Sequence, residues 1–285
     1  MLENMLENIS LRELIDLALK EDIGPGDVTT NSLIPPGCSA AGLIVAKEEG
    51  VVAGLPVAEA VFRRLDPAVN LSFQVREGEQ VTNAQILARV EGNARALLTG
   101  ERVALNFLQR LSGIATYVHR LVRLLEGSKA KIVDTRKTIP GLRLLEKYAV
   151  RVGGGNNHRF GLYDAVLIKD NHLKITGSIK RAIQQARFRI PLTMKIEVEV
   201  ENLAGVAEAL AAGADIIMLD NMDLPTMREA VDFVAGRALL EASGGITEKN
   251  ILAVAQTGVD FISVGALTHS ARVLDISLEV TSLPA

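Results

Sequence analysis

The sequence is poor in the residues that build disulfide frameworks and aromatic clusters. Cys38 is the single cysteine among 285 residues, tryptophan is absent, and aromatic residues make up 4% of the chain. One cysteine excludes an intrachain disulfide and a cysteine-rich zinc cluster. It also fits a reducing compartment, so we expect a cytoplasmic protein.

Long apolar runs and a strong charge of one sign are also lacking. No stretch of about 18 apolar residues occurs, so no membrane span is expected. The amino-terminal segment has neither the basic nor the apolar region of a signal peptide. A net charge of −3 gives no support for binding to nucleic acid or an anionic membrane. A polyanionic ligand would therefore need a local cluster of cations.

The first part of the chain mixes β-type runs with helical patterns. Periodicity predicts a helix over 9–20, a turn-rich loop over 21–30, β-type runs within 40–90 interrupted by a helix over 52–65, and a long helix over 99–125. The long helix has an apolar stripe formed by Val103, Phe107, Leu111, Ile114, Val118, Leu121 and Leu125. Arg102 and Arg110 lie off this stripe and are free for another role.

The second part of the chain has a different rhythm. Six apolar runs have the character of buried parallel strands: 131–135, 164–170, 194–200, 214–221, 239–245 and 260–266. Helical patterns separate most of them, which predicts βαβ units and a parallel sheet. We favour a closed or nearly closed β/α barrel over an open Rossmann sheet, because no Gly-x-Gly-x-x-Gly motif follows a strand.

Polar residues follow nearly every predicted strand. These strand ends are Asp134–Lys137, Lys169–Asp170, Glu199, Asp220–Asn221, Ser243–Gly245 and Gly265–Ala266. One Asp in such a place is often only the cap of the next helix. In a β/α barrel, however, the carboxyl ends of the strands share one mouth, where catalytic residues concentrate. The register of these groups therefore predicts an active site.

The charge distribution indicates an anionic ligand at this mouth. Between Lys131 and Lys174, nine Lys or Arg residues face only four Asp or Glu residues. Strand ends and a glycine-rich loop, GGGNNHRFG at 153–161, carry the residues that we assign to anion binding: Arg136, Lys137, Arg159 and Lys169. A predicted helix over 143–151 carries three more cations, for which a solvated surface role is equally open: Arg143, Lys147 and Arg151.

The remaining groups point to a phosphorylated ligand and a divalent cation. The turns SGGI (243–246) and VGAL (264–267) follow the last two strands, where barrels often bind phosphate through backbone amides. Glu199 and Asp220 could hold Mg2+ or ribose hydroxyls. Glu197 shares the strand face of Glu199, and its role is less clear.

Several long motifs together resemble the quinolinate phosphoribosyltransferase family. They are EDIGPGDVTT (21–30), ERVALNFLQRLSGIAT (101–116), DTRKTIPGLR (134–143), GGGNNHRFGLYDAVLIKDNH (153–172), EVEVENL (197–203), MLDN (218–221) and EASGGI (241–246). The resemblance spans essentially the whole chain. It implies an α/β protein with an amino-terminal α+β sandwich domain (1–112, rejoined by 271–285) and an incomplete, type II phosphoribosyltransferase-like β/α barrel (113–270).

The resemblance also implies an activity and an assembly. The activity is that of a pentosyltransferase of NAD biosynthesis, which converts quinolinate and phosphoribosyl pyrophosphate, with Mg2+, to nicotinate mononucleotide, pyrophosphate and CO2. The assembly is a homodimer with a shared active site, which in some members forms a hexamer.

Carried over motif by motif, the family's roles fall on the same strand ends. Arg102 would come from the partner, whereas Arg136, His158, Arg159 and Lys169 would bind the two carboxylates. Thr135 is a further substrate-binding position. Lys137 would meet the pyrophosphate, and Glu199 and Asp220 would serve ribose and Mg2+; these three are the expected catalytic residues. The 5′-phosphate would be held by Ser243, Gly244, Gly245, Val264, Gly265 and Ala266.

Three alternatives remain open from the residues alone. A related transferase could use nicotinate, although one carboxylate would not need so many cations. An aldolase-like barrel could use Lys169 or Lys195 as a Schiff-base lysine. Residues 76–92 have the rhythm of a biotinyl or lipoyl carrier hairpin but lack its lysine, so we interpret this segment as structural and not as a carrier. Finally, the chain could be a paralogue that kept the fold and changed its ligand.

Overall fold

A computed structural model describes residues 9–282 and divides the chain into two compact units. The first unit contains the residues up to Tyr117 and those from Ala271 onward, and the second unit contains Val118–Ser270. The boundary predicted after residue 112 lies in the same long helix as this division. Among the described residues, no helix is both long enough and apolar enough to cross a bilayer.

The first unit contains an antiparallel sheet and its covering helices. Its elements are α1 (Ile9–Ile23), α2 (Val28–Leu33), β1 (Ser39–Ala46), β2 (Gly50–Val51), α3 (Leu55–Leu65), β3 (Asn70–Phe73), β4 (Gln80–Val81), β5 (Ile86–Asn93), the long α4 (Ala94–Leu124) and β12 (Ile276–Ser282). The strand order is β12-β1-β5-β3, and β2 pairs separately with β4. The end of the chain thus returns to this sheet, where Leu278 lies opposite Ile44.

Local polar contacts explain where this unit differs from the sequence-based prediction. The predicted loop 21–30 overlaps the helix α2, whose amino end is capped by Asp27 through a 2.9 Å bond from the Thr30 amide. The long helix starts earlier than predicted because the Asn93 side chain accepts the Arg95 amide at 2.9 Å. Arg110 is not free, since its guanidinium donates to the Ala271 carbonyl at 3.1 Å.

The second unit is built from alternating strands and helices. After the end of α4, its elements are β6 (Lys131–Val133), α5 (Arg143–Val152), β7 (Val166–Ile168), α6 (Asp170–Thr176), α7 (Ile179–Arg189), β8 (Ile196–Val200), α8 (Leu203–Ala211), β9 (Ile216–Asp220), α9 (Leu224–Val234), β10 (Leu239–Ser243), α10 (Ile251–Ala255), β11 (Phe261–Ser263) and α11 (Ala266–His269). All six predicted strands are present, within narrower bounds. Their pairings are all parallel, which confirms the predicted βαβ pattern.

The barrel of the second unit is incomplete between its first two strands. The sheet order is β6-β11-β10-β9-β8-β7, so β6 and β7 are the two edges. The loop after α5 lies against the β6 edge, where Asn156 forms an isolated parallel bridge with Val133. The Asn156 amide donates to the Ile132 carbonyl at 2.9 Å, and the Asp134 amide donates to the Asn156 carbonyl at 3.1 Å. The glycine-rich loop thus takes the place of a strand.

Candidate active site

A cavity of about 800 Å³ opens at the carboxyl ends of the barrel strands. The predicted site residues of the second unit all line it: Thr135, Arg136, Lys137, His158, Arg159, Lys169, Glu199, Asp220, Ser243, Gly244, Gly245, Val264, Gly265 and Ala266. The parallel register explains this convergence, because it brings successive strand ends to the same rim. Side chains that are more than a hundred residues apart in sequence therefore face one space.

Two arginines lie close together on one wall of the cavity. The Arg136 Nε is buried and has no hydrogen-bond partner among the described residues. Arg159 donates to the Ala165 carbonyl at 3.1 Å. Burial lowers the pKa of the Arg159 guanidinium, and the nearby positive charge of Arg136 lowers it further. This wall therefore carries excess positive charge and an unsatisfied donor, which an anion with two acceptor groups would neutralise.

Acidic residues lie at the next strand ends. Lys169 donates to Glu199 at 3.1 Å, so this lysine is already paired. Asp220 accepts a 2.9 Å bond from the Asn221 side chain. Both carboxylates line the same cavity as the arginines. The site therefore combines cations for an anionic ligand with oxygen donors for hydroxyls or a metal ion.

The backbone around Lys137 is fixed from two sides. The Lys137 amide donates to the Thr135 hydroxyl at 3.0 Å. The hydroxyl of Thr268, which is fully buried in α11, donates to the Lys137 carbonyl at 2.8 Å. Because its main chain is anchored, Lys137 lines the cavity with its long side chain.

The turn after β10 needs glycine for two reasons. Gly244 has φ +92° and Gly245 has φ +61°, a region of backbone conformation that side chains disfavour. A Cβ at Gly244 would also clash with the Asn221 side chain. Across the cavity, a Cβ at Gly265 would lie 3.1 Å from the Lys137 Cδ. At both turns, the absence of a side chain lets the backbone lie close to the cavity, as phosphate binding requires.

A buried ion pair fixes the loop that carries His158 and Arg159. Lys147 and Asp134 are fully buried and bonded to each other, so the surface role left open for Lys147 is wrong. Asp134 also accepts bonds from the Asn157 side chain (2.6 Å) and the His158 amide (2.9 Å). Lys147 donates to the His158 carbonyl at 3.0 Å. Burial raises the pKa of Asp134, whereas the charge of Lys147 opposes that rise.

His158 lies between the cavity and two buried glutamates. Its Nε2 lies 2.8 Å from Glu197 and 3.5 Å from Glu241, and its Nδ1 accepts the Arg159 amide at 2.6 Å. Burial lowers the pKa of His158, but the hydrogen bond to Glu197 and the charges of both glutamates raise it more. A proton on Nδ1 would displace the Arg159 amide. The neutral ring with the proton on Nε2 is therefore the form that fits these contacts.

Five polar residues that line the cavity were not among the predicted site residues: Asn221, Glu241, Thr247, Ser263 and His269. The sequence did contain a signal for Glu241, which precedes Ser243 by two positions and therefore shares its strand face. Thr247 and His269 carry no such signal, because each lies one turn beyond its strand.

Arg102 lies in the first unit, on α4. Its side chain is 60% exposed, and its guanidinium is 4.0 Å from the Glu101 carboxylate. The structure of that unit thus presents Arg102 to solvent, and its predicted role stays a prediction.

An incomplete β/α barrel whose mouth has paired arginines on one wall and glycine turns at its rim defines a class of enzymes that act on phosphorylated, multiply charged small molecules. The comparisons with known proteins identify the member of this class. Residues 27–112 match the model of the quinolinate phosphoribosyl transferase amino-terminal domain, and residues 114–279 match that of its carboxyl-terminal domain. The chain belongs to the quinolinate phosphoribosyl transferase family.

Relatives cover almost the whole chain. A probable nicotinate-nucleotide pyrophosphorylase (carboxylating) of Bacillus subtilis is 47% identical over 97% of this chain and 95% of its own length. A quinolinate phosphoribosyltransferase (decarboxylating) of Nicotiana tabacum is 42% identical over 95% of this chain and 82% of its own. The crystal structure of NadC from Streptococcus pyogenes superimposes with a TM-score of 0.92 at 46% identity, covering 95% of this chain and 96% of that one. These matches confirm the predicted family and fold class.

Proposed function

We propose that the protein transfers a phosphoribosyl group from phosphoribosyl pyrophosphate to the nitrogen of quinolinate and then releases CO2, which gives nicotinate mononucleotide in NAD biosynthesis. The observation that carries this proposal is the pair Arg136 and Arg159, two neighbouring, partly buried cations on one wall of the cavity, where the Arg136 Nε has no hydrogen-bond partner among the described residues. A dicarboxylate satisfies this pair better than a monocarboxylate does.

The roles of the cations follow from their positions. Arg136, Arg159 and Lys169 bind the two carboxylates of quinolinate, together with His158 as the sequence predicted. Because both ring nitrogens of His158 already have partners, we expect the guanidinium groups to supply most of the binding energy. The rim turns at Gly244–Gly245 and Gly265–Ala266, with Ser243 and Val264, hold the 5′-phosphate.

The first step needs little acid or base from the protein. The ring nitrogen of quinolinate is the nucleophile, and pyrophosphate leaves from the ribose carbon as positive charge develops on the sugar. Lys137 stabilises the departing pyrophosphate, and Glu199 and Asp220 stabilise the cationic sugar and orient its hydroxyls. Attachment of the ribose makes the ring nitrogen cationic, which stabilises the electron pair left when the adjacent carboxylate departs as CO2.

The site has donors that suit Mg2+. Glu199 and Asp220 offer carboxylate oxygens at the rim, and Mg2+ takes one or two such ligands together with substrate phosphates and water. When bound with the pyrophosphate, the ion would neutralise its charge. The fit rests on the hard oxygen donors of these two residues.

Assembly and location belong to the same proposal. We propose a homodimer in which Arg102 of one subunit reaches the active site of the other, and some members of the family build such dimers into a hexamer. The exposure of Arg102 on α4 supports this proposal. A cytoplasmic location stays a prediction from the sequence.

The structure bears on the alternative of a Schiff-base lyase. Lys169 forms an ion pair with Glu199 at 3.1 Å, whereas a Schiff-base lysine is activated by an apolar pocket or a neighbouring cation. Lys195 lines a separate, smaller cavity at the amino ends of the strands and not the mouth. Neither lysine has the apolar surroundings that activate an amine.

Product formation tests the proposed function directly. The purified protein should convert quinolinate, phosphoribosyl pyrophosphate and Mg2+ to nicotinate mononucleotide, detected by chromatography, with release of one CO2 for each product. Nicotinate in place of quinolinate should give little product. Arg136→Ala should raise the KM for quinolinate by about 30-fold or more, because a buried charged partner is lost.

The matched control is Arg181→Ala, which removes an exposed arginine of α7 outside the cavity. This variant should keep the wild-type KM for quinolinate. Equal turnover by Arg136→Ala at low quinolinate would contradict the carboxylate assignment, and efficient use of nicotinate would contradict the choice of substrate.

A further inference from the structure

Glu241 is a buried acid that the roles assigned above do not use. It lies in the middle of β10, its side chain is 3% exposed, and it lines the floor of the substrate cavity. Its Oε1 atom is buried and has no hydrogen-bond partner among the described residues. An unpaired buried carboxylate oxygen is costly unless it carries a proton or binds water.

The surroundings of Glu241 favour the protonated form. Burial raises its pKa to about 8, and the charge of Glu197 on β8 contributes to this rise. His158 from the loop and the Ser263 hydroxyl from β11 act in the opposite direction, whereas Asp134, next to β6, raises the pKa slightly. At neutral pH, the carboxyl group is therefore a proton donor at the floor of the cavity.

A second cavity reaches the same acid from the opposite end of the barrel. It has a volume of about 310 Å³ and is lined by residues that begin or precede the strands, among them Lys195, Ile216 and Phe261. His158, Arg159 and Glu241 line both cavities. Polar side chains thus connect the substrate cavity with a separate opening, in a place where barrels usually have a packed apolar core.

The second half of the proposed reaction needs one proton at ring C2. When the bond between ring C2 and its carboxylate breaks, CO2 leaves and both electrons stay on C2. A proton must then bond to C2 to give nicotinate mononucleotide. The donor must reach the carbon that carried the carboxylate, and the arginines that bind this carboxylate cannot give up a proton readily.

We propose that Glu241 is the general acid that protonates C2 after decarboxylation, and that the second cavity returns a proton from solvent to the resulting carboxylate. The inference rests on the proposed function. Glu241 loses its proton to C2 and becomes an anion beside His158; solvent protons entering past Lys195 restore it. Glu241 is thus a catalytic residue of the second half-reaction only.

Rapid-quench kinetics of Glu241→Gln separate the two half-reactions. Glutamine keeps the size and hydrogen-bonding capacity of the side chain but cannot donate a carboxyl proton. In the wild type, pyrophosphate and nicotinate mononucleotide should form together. In Glu241→Gln, pyrophosphate should form within about threefold of the wild-type rate, whereas nicotinate mononucleotide should form about 10- to 100-fold more slowly, with quinolinate mononucleotide accumulating.

Two results would overturn the inference. One is formation of nicotinate mononucleotide by Glu241→Gln at the wild-type rate, and the other is a folded variant that loses pyrophosphate release as well. Glu229→Gln, an exposed change on α9, is the matched control and should leave both rates unchanged. A wild-type protein that releases no pyrophosphate with quinolinate would instead contradict the proposed function.

A measurement on the unaltered protein covers the case in which Glu241→Gln does not fold. As the pH rises from 7 to 9, Glu241 loses its proton, so quinolinate mononucleotide should accumulate while pyrophosphate release continues. An equal yield of pyrophosphate and nicotinate mononucleotide across this range would overturn the inference.

Discussion

At the scale of single residues, the site is defined by charges that the ligand-free protein leaves unbalanced. Arg136 and Arg159 repel each other, and the buried Arg136 Nε has no partner within the described residues. Such an arrangement destabilises the ligand-free protein and favours binding of a dianion. Strong binding and reduced stability thus have the same origin.

The raised pKa of Glu241 predicts how the stability of the protein depends on pH. Its pKa is raised from 4.5 to about 8 in the folded protein, so the folded state binds a proton that the unfolded state releases between these values. The stability contributed by this group is therefore present at low pH and is lost as the pH rises from about 4.5 to 8. The slope is at most about 1.4 kcal/mol per pH unit.

Glu241→Gln removes this dependence. Thermal unfolding followed from pH 5 to pH 9 should show a smaller loss of stability for the variant than for the wild type as the pH rises. Parallel curves for the two proteins would mean that Glu241 is already ionised at pH 5.

The sequence predicted the cations of the site but not their buried partners. Arg136, Lys137 and Lys169 follow strands directly, so their place at the rim follows from the parallel register. The burial of Lys147 depends on Asp134, an acid thirteen positions earlier that faces it only after the barrel has formed. A periodic pattern carries no information on such a pairing.

At the scale of elements, the loop over 153–165 depends on the Asp134–Lys147 pair. The pair contacts the backbone of His158 on both sides, through its amide and its carbonyl. It thereby fixes the chain that presents Arg159 to the cavity. We therefore expect the pair to position Arg159 for the proposed quinolinate site and to have no effect on the phosphate turns.

Lys147→Met should test this role. It leaves Asp134 buried without its cation and should destabilise the protein by about 3 to 5 kcal/mol in denaturant unfolding. The KM for quinolinate should rise more than the KM for phosphoribosyl pyrophosphate, because the phosphate turns do not touch the pair. The double variant Asp134→Asn with Lys147→Met should recover part of the stability, since it buries no charge.

If Lys147→Met raises the KM values for quinolinate and phosphoribosyl pyrophosphate equally, the Asp134–Lys147 pair has only a structural role. Unchanged stability of Lys147→Met would mean that water or another cation replaces the ammonium group.

The pattern of elements was largely predictable, whereas their ends were not. The six barrel strands were found because parallel strands buried on both faces form continuous apolar runs. The helix α2 was missed because Gly24, Pro25 and Gly26 dominate its surroundings, and a six-residue helix has too few positions for a periodic signal. Arg110 was misassigned because its partner, the Ala271 carbonyl, is remote in sequence.

At the scale of the whole molecule, the proposed dimer can be tested by mixing inactive subunits. Arg102→Ala and Lys137→Ala should each be nearly inactive. In a random mixture of the two, each mixed dimer holds one site with both native residues. About a quarter of the wild-type activity should then return when the subunits are unfolded and refolded together.

The control is the same mixture without refolding, which should stay inactive while the subunits do not exchange. If refolding restores no activity although mixed dimers form, Arg102 serves the site of its own subunit.

The Asn156 bridge has a consequence for how such an enzyme can change. The glycine-rich loop that carries His158 and Arg159 also occupies the β6 edge, where Asn156 exchanges hydrogen bonds with Ile132 and Asp134. Without this loop, the edge would be open to pairing with other chains. Altering Asn156 or its neighbours would therefore trade selectivity against resistance to aggregation. New ligands are more easily accommodated at Gly244–Thr247, which belong to no strand, than at Val264, whose amide donates to the Val133 carbonyl of β6 at 3.1 Å.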